Sequence, residues 1–468
     1  MRILLVRPYR NLKKAYAGTT VPINLLTLAG YARRAGHAVA LKDYYLEPYG
    51  EDGLRECCAA FQPDMIGFSC CTPDVYNIDA IAAAAKRFRP GIITVAGGPQ
   101  PSAEPLPTLA LMPAIDYVVA GEGERALTAL LAGTDPLTIP GVIGRQTPAE
   151  RVVPAERVEN LDEAPLPAID LIDLHAYHGQ PFIGFDRSVY RMAEVMSARA
   201  CPAQCTFCCS HVVSGRKTRF RSAGHVLAEI DEYRRRFAIN HVGFFDDTFT
   251  LNRPRLDAVM AGLRERGITW NCATRANAVT EELLRAMVAH GCRGIYFGVE
   301  SGSDRILALL RKGQTVAQNR AAFAAAHAAG VRNITASVML GCHPTETREE
   351  LEQTMRLALE LNPTYLQINI LTPFPGTAIY DEMQQAGMLD PDLRYDDMSY
   401  FHDRGVRWRT AAASGDELLA LQKQFYRRFY LRPGFALRHL LAIRSWAELR
   451  CDLRYGWSFV RDILRAGD

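Results

Sequence analysis

The chain has 468 residues, and its 54 Lys and Arg nearly balance 51 Asp and Glu, which leaves a formal net charge of +3. That length is more than one hydrophobic core supports, so two or three domains are expected. The small net charge argues neither for nor against a nucleic-acid partner, and none is expected. No apolar run reaches the roughly eighteen residues of a membrane span, and segment 1–7 is too short for a signal peptide. Twelve cysteines without a secretory signal predict a reducing, cytoplasmic location.

Residues 1–135 alternate short strand and helix patterns. Strands are predicted at 2–6, 38–43, 65–69, 92–96 and 117–120, and helices at 25–35, 54–61, 78–88 and 126–132. This alternation is typical of an α/β domain with a doubly wound parallel sheet, whose ligands bind outside the carboxyl ends of the strands. The turns there supply the candidate binding residues Ser69, Thr72, Gly97, Gly98, Pro99, Gln100, Gly121, Glu122 and Gly123. Glycine also serves ordinary tight turns, and no G-x-G-x-x-G follows the first strand, so a dinucleotide is not indicated.

Residues 136–188 contain seven prolines that interrupt every helical pattern. They predict a linker with a small hairpin around 142–153. A second alternation fills 189–387, with strands at 190–197, 242–245, 269–273, 294–298, 334–340 and 366–371 and helices at 226–237, 255–266, 281–290, 316–329 and 349–361. Six such strands predict a partial (β/α)6 TIM-like barrel, whose active site belongs at the carboxyl ends of its strands.

Three cysteines directly follow the first strand of this barrel. Cys201, Cys205 and Cys208 stand at C-x3-C-x2-C in the loop CPAQCTFC. Soft thiolates select zinc, copper(I) or iron–sulfur clusters. Three sulfurs on a four-iron cluster would leave one iron open to a small molecule, which is the hypothesis that we favour. A zinc site and three unrelated buried thiols are the alternatives.

Residues 388–468 lose the strand pattern and form a predicted helical C-terminal region, with helices at 418–430, 435–446 and 447–464. From residue 400 onward the chain carries thirteen Lys and Arg against seven Asp and Glu. A basic amphipathic segment is compatible with contact to a membrane surface or an anionic substrate. The other interpretation, which we prefer, is a helical cap over the barrel.

The loop CPAQCTFC resembles the C-x3-C-x-φ-C loop of the radical S-adenosylmethionine superfamily, with Phe207 as its aromatic residue. Companion turns follow the later strands in the order that the superfamily shows, at Phe244–Thr248, Thr274–Asn277, Gly298–Gly302, Leu340–Thr347 and Pro373–Thr377. The fifth-strand turn departs from the usual GLPGET by a histidine and a threonine. The resemblance implies a [4Fe–4S] cluster whose open iron binds the amino and carboxylate groups of S-adenosylmethionine.

Site residues follow from the same resemblance. Asp246 and Asp247 are expected to receive the methionine amino group, although both are also good helix caps. Arg275 is expected to meet the methionine carboxylate, since a carboxylate suits planar guanidinium donors. Glu300 and Ser301 are expected to contact the ribose and methionine moieties.

The first domain resembles the cobalamin-binding domain at the front of many radical S-adenosylmethionine enzymes. The similar pieces are Pro22–Gly36, Pro63–Ser69, Gly97–Pro101 and Val118–Glu124. The D-x-H-x-x-G pattern that supplies a histidine to cobalt is missing, so the resemblance implies cobalamin without a histidine beneath the metal. The run 425–433 resembles the tail of the oxidative-cyclase-like branch.

These resemblances predict methylation of an unactivated carbon in a small-molecule, lipid-like or tetrapyrrole substrate. Oxidative cyclisation or rearrangement after the same radical step is the alternative, and a non-catalytic cobalamin- or metal-binding regulator is a remote one. A low-potential electron donor such as flavodoxin or ferredoxin is expected as a partner.

Overall fold

The computed structural model describes residues 1–10, 19–180, 185–186, 190–400 and 402–464. Parts of the predicted linker and the last four residues of the predicted C-terminal region lie outside these ranges. The described chain forms two large parallel sheets in succession, followed by helices. Within these ranges, no helix combines the length and apolar character needed to cross a membrane.

The first sheet contains the strands of the predicted doubly wound domain. Its strands are β1 (Arg2–Arg7), β2 (Ala38–Asp43), β3 (Met65–Ser69), β4 (Ile93–Gly97), β5 (Tyr117–Val119) and β6 (Val142–Gly144), in the spatial order β2-β1-β3-β4-β5-β6. Its helices are α1 (Ile23–Arg34), α2 (Glu51–Phe61), α3 (Val75–Phe88), α4 (Pro99–Ala103), α5 (Pro105–Leu111) and α6 (Gly123–Leu131). Helices α1 and α6 cover one face of the sheet, and α2, α3 and α5 cover the other. Both faces are therefore buried, as a parallel sheet requires.

The predicted hairpin around 142–153 is wrong. Strand β6 pairs antiparallel with β5, in the register Val118 opposite Ile143, so it extends the first sheet into the predicted linker. Ile143 is 1% exposed and belongs to the core under α3 and α5. Burial of this short apolar strand against an existing sheet edge outweighs a local hairpin, which would have little apolar surface to bury.

The second sheet is the predicted partial barrel. Two short antiparallel strand pairs are separate from this sheet. Strand β7 (Gly179–Gln180) pairs with β8 (Phe185–Asp186), and β10 (Ala198–Arg199) pairs with β11 (Arg219–Phe220). Its strands are β9 (Met192–Val195), β12 (His241–Phe244), β13 (Thr269–Thr274), β14 (Cys292–Glu300), β15 (Asn333–Leu340) and β16 (Tyr365–Ile370), all parallel and adjacent in that order. Its helices are α7 (Ser210–Ser214), α8 (Ala223–Phe237), α9 (Arg253–Glu265), α10 (Glu281–Ala289), α11 (Asp304–Leu309), α12 (Val316–Ala328), α13 (Arg348–Leu361) and α14 (Ala378–Gln385).

Local sequence explains where several of these helices begin. Thr347 caps α13 through a reciprocal pair of hydrogen bonds with Glu350, and Thr315 caps α12 in the same way with Gln318. Such capping boxes satisfy backbone N–H groups that have no partner inside the helix. Helix α11 was not predicted, because six residues are too few to show a clear helical period.

The C-terminal region continues with α15 (Gly415–Tyr430), α16 (Pro433–Ala442), α17 (Trp446–Cys451), a π-helical turn (Asp452–Gly456) and α18 (Trp457–Leu464). The two long helices predicted after residue 435 are thus each interrupted. Helix α15 covers the open edge of the barrel. The hydroxyl of Tyr426 accepts from the Ile368 N–H at 3.0 Å and donates to its carbonyl at 3.2 Å, and Tyr430 does the same for Leu366. An exposed edge strand is thereby satisfied by side chains instead of another strand.

Buried ion pairs join the two sheets beside the cysteine loop. Glu122, at the carboxyl end of β5, forms two hydrogen-bonded contacts with Arg219 of the barrel domain. Arg199 contacts both Glu122 at 3.3 Å and Glu124 at 2.6 Å. All four side chains are at most 16% exposed. The carboxyl ends of the first sheet are consequently held against the start of the cysteine loop.

Candidate active site

The cysteine loop is fastened to the barrel at its beginning. The carboxylate of Asp246, which follows β12, accepts hydrogen bonds from the Ser197 N–H at 2.6 Å, the Ser197 hydroxyl at 2.5 Å and the Ala198 N–H at 3.1 Å. Asp246 is only 3% exposed. Its carboxylate therefore positions the loop, and its contact with the methionine amino group stays a prediction.

Asp247 is exposed beside the loop and accepts a hydrogen bond from Ser210. Of the two predicted carboxylates it is the one open to a ligand. The sequence could not distinguish them, because adjacent residues after a strand point in opposite directions and the register decides which is buried.

Polar side chains surround the sulfurs of the loop. An Arg275 guanidinium nitrogen lies 3.6 Å from the Cys205 sulfur, and the Thr248 hydroxyl lies 3.7 Å from the Cys201 sulfur. Burial raises the pKa of Cys208, a thiol that metal binding would deprotonate. Hydrogen-bond donors near thiolates tune iron–sulfur clusters, so these residues fit the predicted cluster.

The three cysteines do not form a ready-made cage for one ion. Among the residues that the structure describes, no group of three His, Cys, Asp or Glu side chains converges closely enough to hold a single metal ion. The ligand assignment of Cys201, Cys205 and Cys208 therefore stays a prediction from the motif, placed on a loop at the carboxyl ends of the barrel strands. Arg275 lies against the loop itself, so its predicted contact with a carboxylate also stays a prediction.

Glu300, at the end of β14, has an unusual backbone conformation. Its φ is +64°, and the pairing of β14 with β15 shifts register between Gly298 and Glu300. A non-glycine residue in the left-handed region is strained and is commonly kept for function. The Lys312 amino nitrogen lies 2.6 Å from Glu300 Oε1, and both side chains are at most 8% exposed.

Lys312 is the functional candidate that the sequence interpretation missed. Besides Glu300, its amino group lies 5.8 Å from the ring centre of Phe207, the aromatic residue of the cysteine loop. A Cβ at position 298 would come within 2.4 Å of Glu300 Oε1 and 2.8 Å of Lys312 Nζ, so glycine there leaves room for the pair. No motif marks Lys312, which reaches Glu300 only because α11 folds back over the strand end.

Ser301 lies deeper than Glu300. It is 0% exposed, and its hydroxyl contacts Thr354 of α13 at 3.3 Å and accepts from the Ser303 N–H. These contacts fix the turn after β14 against α13. A direct contact of Ser301 with the cofactor stays a prediction.

The turn after β15 is built around a buried acid. Glu346 is 0% exposed and accepts from the Cys342 N–H at 3.0 Å, and burial raises its pKa to about 7. His343, one of the departures from GLPGET, contacts the Thr345 hydroxyl at 2.9 Å and Glu382 of α14 at 3.4 Å. The two unusual residues of the turn thus contact each other and support its shape.

A cavity of about 520 Å³ lies between the two sheets. Seven of the nine predicted turn residues line it: Ser69, Gly97, Gly98, Pro99, Gly121, Glu122 and Gly123. Thr72 and Gln100 are buried elsewhere, and Gln100 donates to Thr108 inside the first domain. Met196, Arg199, Val213 and Ser214 close the cavity from the side of the cysteine loop. One cavity therefore touches both halves of the candidate site.

The walls of this cavity suit a cofactor that approaches the backbone closely. Gly98 has a φ of +126°, and a Cβ there would lie 2.7 Å from the Cys70 carbonyl oxygen, so only glycine fits. His225 on the wall is no free cobalt ligand, because one ring nitrogen accepts from Arg221 and the other contacts the Ala164 carbonyl. These features fit cobalamin without a histidine beneath the metal.

The inner face of the barrel carries a chain of uncharged polar side chains that the sequence interpretation also missed. Tyr296 donates to Gln367 at 2.8 Å, Gln367 donates to the Tyr400 hydroxyl at 2.5 Å, and Tyr400 donates to Asn369 at 2.5 Å. Tyr400 is 44% exposed. Gln367 and Asn369 alternate with buried apolar residues along β16, and this pattern could have indicated them from the sequence. Tyr400 could not be found in this way, because it lies in a loop about thirty residues later in the chain.

Two family models match the chain, the Radical SAM superfamily over residues 195–358 and the B12 binding domain over residues 11–131. An uncharacterized methyltransferase of Pyrococcus horikoshii is 31% identical over 462 residues, which cover 94% of this chain and 95% of that protein. The anaerobic magnesium-protoporphyrin IX monomethyl ester cyclase of Rubrivivax gelatinosus is 28% identical over 462 residues, 93% of this chain and 78% of the cyclase.

Among solved structures, the fold is similar to that of TsrM from Kitasatospora setae, a radical S-adenosylmethionine methyltransferase with cobalamin and a [4Fe–4S] cluster bound. The TM-score is 0.71 at 18% identity, with 92% of this chain and 89% of TsrM covered. The two matched families follow each other in the chain as the two sheets do. The chain belongs to the radical S-adenosylmethionine enzymes with an N-terminal cobalamin-binding domain, and its cofactors are a [4Fe–4S] cluster, S-adenosylmethionine and cobalamin.

Proposed function

We propose that this enzyme transfers a methyl group to an unactivated carbon of a small-molecule substrate. The main support for this proposal is the cavity between the two sheets. Its walls come from the turns of the first domain and from residues beside the cysteine loop. A methyl donor in this cavity and a radical formed at the loop would both reach a substrate bound between them. When bound, the cluster and S-adenosylmethionine supply the radical that removes hydrogen, and cobalamin supplies the methyl group.

The chain's own residues hold and orient these cofactors. Cys201, Cys205 and Cys208 would bind the cluster, and Asp246 keeps their loop in place through Ser197. The turn glycines let the first domain approach its cofactor closely. The ion pair of Glu122 with Arg219 keeps the two cofactor sites at a fixed separation.

The Glu300–Lys312 pair would receive the methionine end of S-adenosylmethionine. An α-amino acid carries one positive and one negative group a few ångströms apart, and the pair presents the opposite charges. Insertion of the ligand replaces one ion pair by two, with the ligand amino group on Glu300 and its carboxylate on Lys312. Charge-assisted hydrogen bonds in a site without water are strong, which favours this exchange.

The described inner face of the barrel favours an uncharged portion of the substrate. Tyr296, Gln367, Asn369 and Tyr400 offer hydroxyl and amide groups, and Lys312 already pairs with Glu300. Lipid-like and tetrapyrrole substrates both contain large uncharged portions, so both remain within the proposal.

We further propose that a low-potential electron donor approaches over the outer side of the cysteine loop. Pro202 and Gln204 are exposed there, and Arg216 donates to the Ala203 carbonyl at 2.7 Å. The neighbouring Lys217 side chain is 79% exposed, and its amino group lies 3.2 Å from the exposed Glu159 carboxylate, a surface pair that a partner protein can replace. Positive charge beside the exposed loop suits an acidic protein such as flavodoxin. Lys217→Glu should slow turnover with flavodoxin and leave turnover with a chemical reductant unchanged.

The reaction is tested by anaerobic incubation with methyl-labelled S-adenosylmethionine, cobalamin, reductant and a metabolite extract. Methyl transfer by this route yields S-adenosylhomocysteine together with 5′-deoxyadenosine, and it places the label on an acceptor. Cys205→Ala should abolish the visible absorption of the cluster and both products. If both products persist in that variant, the ligand assignment is wrong.

Oxidative cyclisation is the second candidate, favoured by the similarity to the Rubrivivax gelatinosus cyclase over most of both chains. It begins with the same removal of hydrogen but needs no methyl donor. 5′-Deoxyadenosine without S-adenosylhomocysteine or a labelled acceptor, in the presence of a converted substrate, would establish this reaction and exclude methyl transfer.

A further inference from the structure

The C-terminal helices expose more apolar surface than any other described part of the chain. Leu437, Leu440, Leu441 and Trp446 are 61%, 63%, 77% and 79% exposed, whereas large apolar side chains outside this region reach at most 48%. Single exposed apolar residues need no explanation, but several close together in the chain, three of them on one side of a helix, mark an interaction site. We call this group, with Leu453 at 64%, the leucine face.

The leucine face follows from the amphipathic pattern of α16. Leu437, Leu440 and Leu441 stand at i, i+3 and i+4, so they share one side of the helix. Phe435 and His439 lie on the other side, where Phe435 packs against Tyr430 with ring centres 5.0 Å apart. Helix α16 is therefore attached to the protein by one side while the leucines point outward.

The charges around the leucine face are positive. Arg438, Arg444 and Arg450 are exposed, and among the side chains that the structure describes no carboxylate pairs with their guanidinium groups. Two acids of this region are already paired, Glu448 with Arg332 at 2.5 Å and Asp452 with His439 at 3.1 Å. An outward surface of leucines, tryptophan and arginines is complementary to lipid chains beneath anionic headgroups.

We propose that the leucine face binds the surface of an anionic lipid bilayer. Helix α16 would lie in the plane of the surface with its leucines among the acyl chains and its arginines at the headgroups. Trp446 suits the same depth, because tryptophan combines a large apolar ring with an N–H that bonds at the interface. This inference does not depend on the reaction that the enzyme catalyses.

Flotation of the intact holoenzyme with vesicles tests the proposal. Vesicles of equal parts phosphatidylglycerol and phosphatidylcholine should carry the protein, and vesicles of phosphatidylcholine alone should carry much less. Leu440→Asp/Leu441→Asp should weaken binding by roughly tenfold or more, since two apolar contacts are replaced by charges. The matched control Leu111→Asp/Leu137→Asp alters leucines that are 40% and 39% exposed elsewhere, and it should bind like the unaltered protein.

Fluorescence gives a second readout that does not require folding of the charged variant. In a Trp457→Phe background, emission should shift to shorter wavelength with anionic vesicles, and adding Trp446→Phe should abolish the shift, since the two remaining tryptophans, Trp270 and Trp408, are buried. Equal flotation of the Leu440→Asp/Leu441→Asp variant would overturn the proposal. So would a dimer in light scattering that the same variant dissociates, with no vesicle binding, because the face would then join two copies of the chain.

Discussion

Replacement of Lys312 by Met tests the most specific feature of the proposed cofactor site. The change keeps an apolar stem of similar length and removes the charge that lies 2.6 Å from Glu300 Oε1. Glu300 would remain buried without its partner, and breaking one side of a buried pair costs about 3–5 kcal/mol of stability. The proposal adds a second loss, because the carboxylate of S-adenosylmethionine would also lose its cation.

The loss of a hydrogen bond to a charged group is worth about 1.5–3 kcal/mol, which corresponds to a roughly 10- to 100-fold weaker affinity for S-adenosylmethionine. Anaerobic equilibrium binding to the reduced holoenzyme measures this affinity, and the visible absorption of the cluster reports whether the loop is intact. Lys312→Arg keeps the charge and should retain most of the affinity. The control variant Lys217→Met removes an exposed lysine outside the proposed cofactor site. It should change neither the affinity for S-adenosylmethionine nor the visible absorption of the cluster.

A double variant separates binding from stability. Lys312→Met/Glu300→Gln removes both charges, so it should recover much of the thermal stability that Lys312→Met loses, but not the affinity. If Lys312→Met keeps its cluster and binds S-adenosylmethionine as tightly as the unaltered protein, Lys312 is only a structural partner of Glu300. The methionine end of S-adenosylmethionine would then bind away from the Glu300–Lys312 pair.

Four further variants test other parts of the protein. Asp246→Asn should lower the iron content, since it weakens the hydrogen bonds that hold the cysteine loop, whereas Asp247→Asn should keep the iron. Equal iron loss in both variants would contradict this division. Tyr426→Phe/Tyr430→Phe should lower the free energy of unfolding by about 2–4 kcal/mol, because backbone groups of β16 lose their hydrogen-bond partners. An unchanged melting temperature would show that water replaces the two hydroxyl groups. Burial raises the pKa of Glu346 to about 7, so the folded protein holds this proton more tightly than the unfolded chain does, and stability should fall as pH rises from about 5 to about 8. Glu346→Gln should flatten that dependence, and an unchanged slope of melting temperature against pH would exclude Glu346 as its cause.

Much of the fold could be predicted because it depends on local periodicity. The predicted strand at 334–340 is β15 (Asn333–Leu340), and the predicted helix at 316–329 is α12 (Val316–Ala328). Apolar runs and capping residues are properties of neighbouring positions, so they are visible without the fold. Helix α16 shows the limit, since the sequence pattern continues to Trp446 but the helix ends at Ala442.

Side-chain roles within the predicted turns depended on contacts that cross the chain. Asp246 and Asp247 are equivalent in the sequence, and only the pairing of β12 beside β9 turns the first toward Ser197 and leaves the second exposed. Thr72 and Gln100 stand in turns whose other predicted residues line the cavity, but both side chains are buried outside it, which only the packing of the first domain decides.

The sequence by itself determined the chemistry of this protein: three cysteines at fixed spacing after a strand, glycine turns at strand ends and the order of two α/β units. The structure keeps these features, because the length of each loop and the order of the two units along the chain are properties of the sequence itself. Only the tertiary structure decided which groups meet. Lys312 reaches Glu300, Glu122 reaches Arg219, and the leucines of α16 remain uncovered, since each outcome depends on packing between segments that are distant in the chain.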